Sequence, residues 1–384
     1  MKSALRFVVI IGIVNLLADF TYEGGRSIVG PFLGSLGASA TVIGFVAGFG
    51  ELIGYALRSI SGYFADRTQK YWPIAFVGYA LNQLAIPTLA LAGNWPLAAG
   101  FVVAERTGRA IRKPAVDAML SHAGESIGAG WVFGLNQALD QAGATIGPLV
   151  IAAILFSKAA YRTAFGWFLL PALLCIATLD LARLFYPRPH ELEKQPSRIV
   201  ATTTEIGRTF WIYLAAGALI AAGLADFSLI GFHFQKAKIV AVNLIPIFYA
   251  VAMASAAFSA LLFGRLFDKF GRSIILLASF FSAAFAPFVF LSRAPLALVG
   301  MVLWGIGTGI EGSLLKALLT EIIPPQKRST AFGLFDTGYG IAWFCGSAAM
   351  GLLYDKSIAA LVIFSVVTQI AALPMLFAAG RSGK

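Results

Sequence analysis

The stretch Gly62-Tyr63-Phe64-Ala65-Asp66-Arg67 returns in the second half of the chain as Gly264-Arg265-Leu266-Phe267-Asp268-Lys269, a shared G-x-x-x-D-[RK] pattern. Each copy lies between two apolar runs of about 20 residues, the length that crosses a bilayer as a helix. Two further matches occur in the same order and at nearly constant offsets. LADF stands at Leu17–Phe20 and again at Leu224–Phe227, and FGL at Phe133–Leu135 and again at Phe332–Leu334. One such match is within reach of chance; three together describe a duplicated six-helix unit. Repeats of this kind place a solute site between the halves, near the bilayer midplane.

Composition leaves no soluble alternative. Of 384 residues, 59% are apolar and only 12% charged, against roughly 25% charged in ordinary globular domains, and the mean hydropathy is +0.81. So few charges cannot cover a water-facing surface of this size. The net charge of +11 does not point to nucleic acid, because the basic residues sit in short connections between apolar runs rather than in one stripe. Cys175 and Cys345 are far apart within apolar runs, without CxxC or histidine spacing, and read as small buried hydrophobes. The first apolar run carries Asp19 and Glu23 and no small-residue cleavage site, so it reads as helix one rather than a signal peptide.

The pattern predicts an all-α membrane protein with helices at about 4–23, 40–63, 72–93, 95–119, 129–156, 162–185, 209–232, 240–265, 273–292, 295–321, 329–354 and 357–379. The longest polar connection, rich in Pro and charge, falls near the midpoint. The expected division is therefore an N-terminal bundle over 1–185, a cytoplasmic linker over 186–208 and a C-terminal bundle over 209–384. With the N-terminus inside, the inner segments hold more than twice as many Lys and Arg as the outer ones, which favours both termini in the cytoplasm.

The two loop motifs resemble the signature G-x-x-x-D-[RK]-x-G-[RK]-[RK] of the major facilitator superfamily, and the likeness extends over essentially the whole chain. The first copy has Gln69 where the family has glycine; the second, running on through Gly271 and Arg272, is more complete. The resemblance implies twelve membrane helices in two pseudo-symmetric six-helix bundles. It also implies a cytoplasmic latch from Gly62, Asp66 and Arg67 and from Gly264, Asp268, Lys269 and Arg272, with Asp117 as the expected partner of Arg67. Asp336 is placed with this gate. Helix five has Gly134, Gly143, Gly147 and Pro148 at the spacings of the family's antiporter motif, followed by Ile151-Ala152 instead of two glycines. Small residues let helices approach closely and Pro148 bends the helix; the alternative reading is ordinary small-residue packing. In helix four, Arg106 fits the exporters' R-x-x-Q-G pattern, while Arg109 takes the glutamine position.

Ionisable groups at bilayer depth are expensive, so each is a functional candidate. Asn15, Asp19, Glu23 and Arg26 follow one another at steps of four, four and three, which puts them on one face of helix one. Glu51 and Arg58 are likewise co-facial on helix two. Helix four carries Glu105, Arg109 and Arg112 on one stripe, with Arg106, Lys113 and Asp117 beside it, and helix five carries Asn136 and Asp140. Helices three and six have no mid-membrane charge, and in the family's fold they face lipid. Asp226, Glu311 and Asp336 are the sparser acids of the C-terminal half.

Asp19, Glu23, Glu51, Glu105 and Asp140 are the expected proton-coupling residues, led by Asp19 and Glu105, because loss of water disfavours a charged carboxylate. Asn15, Arg26, Arg106, Arg109, Asn136, Asp226 and Glu311 are expected to line a solute cavity. The expected function is proton-coupled export of a small organic solute by a monomer in the cell membrane, surrounded by lipid and without nucleic-acid partners. An importer or uniporter of an organic anion is the alternative that cation-rich helix four suggests. An intramembrane enzyme is the remote one: His122, His190 and His233 form no HExxH pair, and GxSxG and Walker A motifs are absent,. No metal or cofactor is called for.

Overall fold

The computed structural model describes residues 2–127, 129–189, 207–270, 273–309 and 328–381. Among them every regular element is helical. The helices are α1 (Lys2–Ser35), α2 (Ala40–Thr68), α3 (Tyr71–Thr88), α4 (Trp95–Ile127), α5 (Ala129–Phe156), α6 (Tyr161–Trp167) and α7 (Leu169–Phe185). There follow α8 (Arg208–Gly223), α9 (Phe227–Lys236), α10 (Ile245–Phe270), α11 (Ser273–Ala283), α12 (Phe285–Leu291) and α13 (Ala294–Gly309). Two more, Arg328–Lys356 (α14) and Ile358–Arg381 (α15), complete the described chain. Among the described residues, eight stretches are long and apolar enough to cross a membrane, and shorter apolar helices add to them.

Three spans expected as single helices are built in two pieces: α6 with α7, α8 with α9, and α11 with α12. Helix one departs in the other direction. It was expected to stop at 23, but it continues through Gly24, Gly25 and Pro31 to Ser35, which keeps Arg26 on the same helix as Asn15, Asp19 and Glu23. Arg112 and Lys113 lie within α4, on the helix-four stripes the sequence pattern assigned them. Glycine and proline break helices in water, but in a membrane the backbone has no other donor or acceptor to turn to, and the helix persists.

The chain forms two compact units. One comprises Met1–Phe32 with Ile53–Arg198; the other comprises Leu33–Leu52 with Ile199–Lys384. The hairpin at the end of α1 and the start of α2 thus groups with the second unit.

In the first unit, α1 comes into near backbone contact with α5 at two glycines. A β-carbon on Gly143 would collide with the Leu16 carbonyl oxygen, and one on Gly147 with the Phe20 carbonyl oxygen. Helices α3 and α4 close in the same way, through Gly78 against Arg112 and Gly108 against Asn82. This close approach is what small residues supply where lipid, as apolar as the side chains, offers no hydrophobic drive. Phe7, Val8, Ile11, Trp72, Met119 and Leu179 fill one end of the unit. Helix α3 is not simply a lipid-facing span: Tyr79, Asn82 and Gln83 are fully buried while Val77, Leu81 and Leu84 point outward.

In the second unit, the α8–α9 break is held by its neighbours. Ser365 Oγ donates to the Gly223 carbonyl at 2.6 Å, Gln369 Nε2 donates to the same carbonyl at 3.2 Å, and Trp304 Nε1 donates to Ala225 at 2.8 Å. Carbonyls freed by the break are therefore satisfied inside the protein. Gly44 and Gly48 seat the start of α2 against Ser347 and Phe344 of α14. There Asp355 Oδ2 accepts the Thr41 backbone N–H at 2.9 Å and its hydroxyl at 2.7 Å, capping the first turn of α2 from another helix.

Of the two cysteines, Cys175 is buried, with Sγ 3.3 Å from the Val14 carbonyl. Cys345 is exposed on α14, so the expectation that both are buried holds for one.

Candidate functional site

The polar face of α1 is the axis of a network confined to the first unit. Asn15 Nδ2 donates to Asn136 Oδ1 at 2.7 Å, and Asn15 Oδ1 accepts from the Tyr79 hydroxyl and from Arg112 Nη1 at 3.2 Å. The other arm of Arg112 reaches Asp19 Oδ1 at 3.4 Å, and its guanidinium lies 4.5 Å from the centre of the Tyr79 ring. Asn136 Nδ2 passes the chain on to Asp140 Oδ2 at 3.3 Å, while Asp140 Oδ1 has no hydrogen-bond partner among the described residues. One guanidinium thus serves two carboxylates, one directly and one through a pair of amides. Asn15, Arg112 and Asn136 are each less than 5% exposed, where an unpaired charge costs several kcal/mol.

A second layer lies one turn further along α1 and α4. Asn82 Nδ2 donates to Glu105 Oε1 at 2.6 Å and is itself held by Gln83 Nε2 at 2.7 Å. Glu105 Oε2 faces Arg106 Nε at 3.5 Å. The guanidinium groups of Arg106 and Arg109 sit 4.8 and 4.4 Å from the centre of the Tyr22 ring, a cation–π arrangement strengthened by desolvation. Arg26 joins from α1, donating to the Tyr22 hydroxyl at 3.1 Å, with Glu23 at 4.0 Å. Three arginines therefore converge on one tyrosine.

Of the sequence candidates, Asn15, Asp19, Glu23, Arg26, Glu105, Arg106, Arg109, Asn136 and Asp140 come together here. Arg112 was placed only on the helix-four stripe, without a role, and Tyr22, Tyr79, Asn82 and Gln83 were not among them. Arg112 shares a stripe with Glu105 and Arg109, which was the available signal; the three others on α3 are uncharged and gave none. Glu51 is buried but belongs to the second unit. Asp226 is buried and caps α9, accepting the Ser228 N–H at 2.8 Å.

At the expected gate, Gly62 packs near Pro114 and Ser61 Oγ donates to the Ile111 carbonyl at 2.7 Å. Asp117 pairs not with Arg67 but with Lys113, at 2.9 Å; Arg67 donates to Tyr63 instead, at 3.0 Å. Partners one turn away on the same helix cost less chain entropy to engage than one on another helix. Asp336 is half-buried on α14. Of Asp66, Gly134, Gly264, Asp268 and Lys269 only the helical placement is described, and Arg272 and Glu311 lie outside the described residues. Gly143 and Gly147 have a packing role against α1, with Pro148 buried beside them. Among the described residues no cluster of three or more His, Cys, Asp or Glu suits a metal ion.

The chain matches the family model for the Major Facilitator Superfamily over residues 12–347, with a further match over 209–382. An uncharacterized protein of Mycobacterium tuberculosis is 38% identical over 383 residues, covering 98% of this chain and 93% of that one. An uncharacterized MFS-type transporter of Methanocaldococcus jannaschii is 27% identical over 392 residues, covering 96% and 94%. Among solved structures, the nucleoside transporter NupG superposes with a TM-score of 0.77 at 12% identity, over 96% of this chain and 99% of that one; at that identity the likeness speaks for the fold alone. All-helical architecture, internal duplication and the family match agree: the chain is an integral membrane protein with the twelve-helix fold, and it belongs to the major facilitator superfamily.

Proposed function

We propose that this transporter is a proton-coupled exporter of a small organic solute, working by alternating access as a monomer in the cell membrane with both termini cytoplasmic. The observation that carries the coupling is the Asp19–Arg112 pair, 3.4 Å apart, joined through Asn15 and Asn136 to Asp140. With both carboxylates ionised, two negative charges share one guanidinium in a water-poor setting. A single proton removes one negative charge from the set, with Lys113 and Arg109 close enough to act on Asp140 as well. Proton uptake therefore changes the charge that a solute meets, which is the differential interaction that coupling requires. The outward direction rests on the Gly143, Gly147 and Pro148 spacing of α5.

The test uses everted vesicles carrying an inward-acidic pH gradient and a library of candidate solutes. A transported solute dissipates the gradient, and Asp19→Asn or Asp140→Asn stops it. Transport of a solute with unchanged rate and unchanged pH dependence in both variants would sink the coupling proposal.

The convergence of Arg26, Arg106 and Arg109 on Tyr22 favours a second reading, an importer or uniporter of an organic anion. Counterflow in proteoliposomes separates the two. Under the second reading, Arg109→Gln abolishes exchange of anions and the pH gradient has no effect.

A further inference from the structure

Where α1 begins and α7 ends, the first unit carries a cleft of about 560 Å³, lined by Ser3, Leu5, Arg6, Val9, Ile10, Phe185 and Tyr186. This is within the roughly 300–1,000 Å³ of clefts that hold small ligands. Its back wall is stiff. Phe7 meets Tyr186 with ring centres 5.2 Å apart and Trp72 at 6.5 Å, and Trp72 Nε1 donates to the Tyr186 carbonyl at 3.1 Å. Its front is open: Leu5 and Phe185 are 42% and 68% exposed, and Val9 is exposed below them.

The charged group of this cleft is Arg6. It is exposed and makes no ion pair or hydrogen bond among the described residues. Arg183, one turn before Tyr186, rests over the Phe76 ring at 5.6 Å and has no carboxylate partner among the described residues. Arg188 adds a third positive charge at this end of α7. The carboxylate nearest in sequence on α7, Asp180, is more than a turn deeper than Tyr186, and α1 has none before Asp19.

An apolar wall running along two turns of a helix, with a guanidinium at the membrane-surface end, matches one kind of molecule. A lipid tail fits the wall and an anionic head meets the cation. We propose that this cleft is a binding site for an anionic glycerophospholipid. The phosphate engages Arg6 and one acyl chain lies along Val9, Ile10 and Phe185. Charge complementarity selects the lipid over a zwitterionic one, since a basic residue near the surface attracts anionic headgroups by an amount equivalent to about a fivefold change in occupancy.

The test is native mass spectrometry of the full chain in mild detergent, with phosphatidylglycerol or phosphatidylcholine of identical chains, alongside thermal unfolding. The expected result is preferential retention of phosphatidylglycerol with a raised Tm. In Arg6→Gln, an exposed substitution that leaves packing alone, retention falls about fivefold to the phosphatidylcholine level, while Arg293→Gln in the second unit changes nothing. Equal retention of the two lipids by the unmodified chain would overturn the proposal, as would undiminished phosphatidylglycerol binding by Arg6→Gln. Displacement of the lipid by glycerol phosphate at equal concentration would also overturn it, because the head alone would then suffice. So would an Arg6-dependent gain in lipid binding on removing the linker carboxylates with Glu191→Gln and Glu193→Gln, which would make the linker the occupant.

Discussion

The two LADF copies show how far a repeated sequence can be put to different uses. Asp19 sits inside an unbroken α1 and takes its countercharge from another helix, at 3.4 Å from Arg112. Asp226 sits in a break between α8 and α9 and takes its partner from its own chain, the Ser228 N–H at 2.8 Å. One is an ion pair between two helices; the other is a helix cap that also answers the positive end of a half-helix. The difference lies in what surrounds the motif. Gly143 and Gly147 press the backbone of α5 against the first copy, whereas Trp304, Ser365 and Gln369 supply donors for the carbonyls opened beside the second.

This contrast can be broken at its strongest point first. Arg112→Leu leaves Asp19 buried without its countercharge and should destabilise the protein by about 3–5 kcal/mol, measured by thermal unfolding in detergent. Adding Asp19→Asn should recover part of that loss. No recovery would mean that Arg112 is held by packing on Tyr79 and not by charge. Gly143→Val tests what keeps the first copy continuous: overpacking against the Leu16 carbonyl should cost about 1–3 kcal/mol and weaken transport together with stability.

The second copy should respond more mildly and in another currency. Asp226→Ala removes a cap worth about 0.5–2 kcal/mol, and Asp226→Ser, which can still accept the Ser228 N–H, should restore most of it. Asp19→Ser should restore no proton coupling. Equivalent behaviour of the two serine variants in a vesicle pH-gradient assay would erase the distinction.

The smallest effect concerns a third acid, Asp355, one residue beyond the expected span 329–354. Burial raises its pKa, but hydrogen bonds from the Thr41 hydroxyl and backbone and the charge of Lys236 outweigh burial and leave it below the ordinary value of 3.8. A lowered folded-state pKa means that its contribution is complete above the unfolded value and lost as pH falls through the folded one. Between pH 7 and 5 the Thr41 contact should therefore be unaffected. Asp355→Asn should flatten a loss of stability seen only below about pH 4, read from Tm against pH.

The sequence made the architecture legible because hydropathy, basic loops and three ordered repeats all report on the same helices. It also aligned Asn15, Asp19, Glu23 and Arg26, since steps of three and four need no tertiary knowledge. Arg112 was harder. Its charge, next to Lys113 and Pro114, looks like the end of a span, and only the partners Asn15 and Asp19 on another helix explain its burial. Tyr22, Tyr79, Asn82 and Gln83 carry no charge, so nothing distinguished them from ordinary lining residues until the helices were packed. The break in helix seven did leave a trace, Gly223 at a helix end and Asp226 at the next start. In a long apolar run those two residues are outweighed by hydropathy.

The α1–α5 seam has a mechanical consequence. With Gly143 and Gly147 seated on the Leu16 and Phe20 carbonyls, and Asn15 hydrogen-bonded to Asn136 across the same seam, the two helices should move as one lever during any cycle. Nitroxide labels on the exposed positions Ile13 and Ile146 would keep a single narrow separation with and without solute. They would give distance spectroscopy an internal ruler against which every other displacement in this transporter can be scaled.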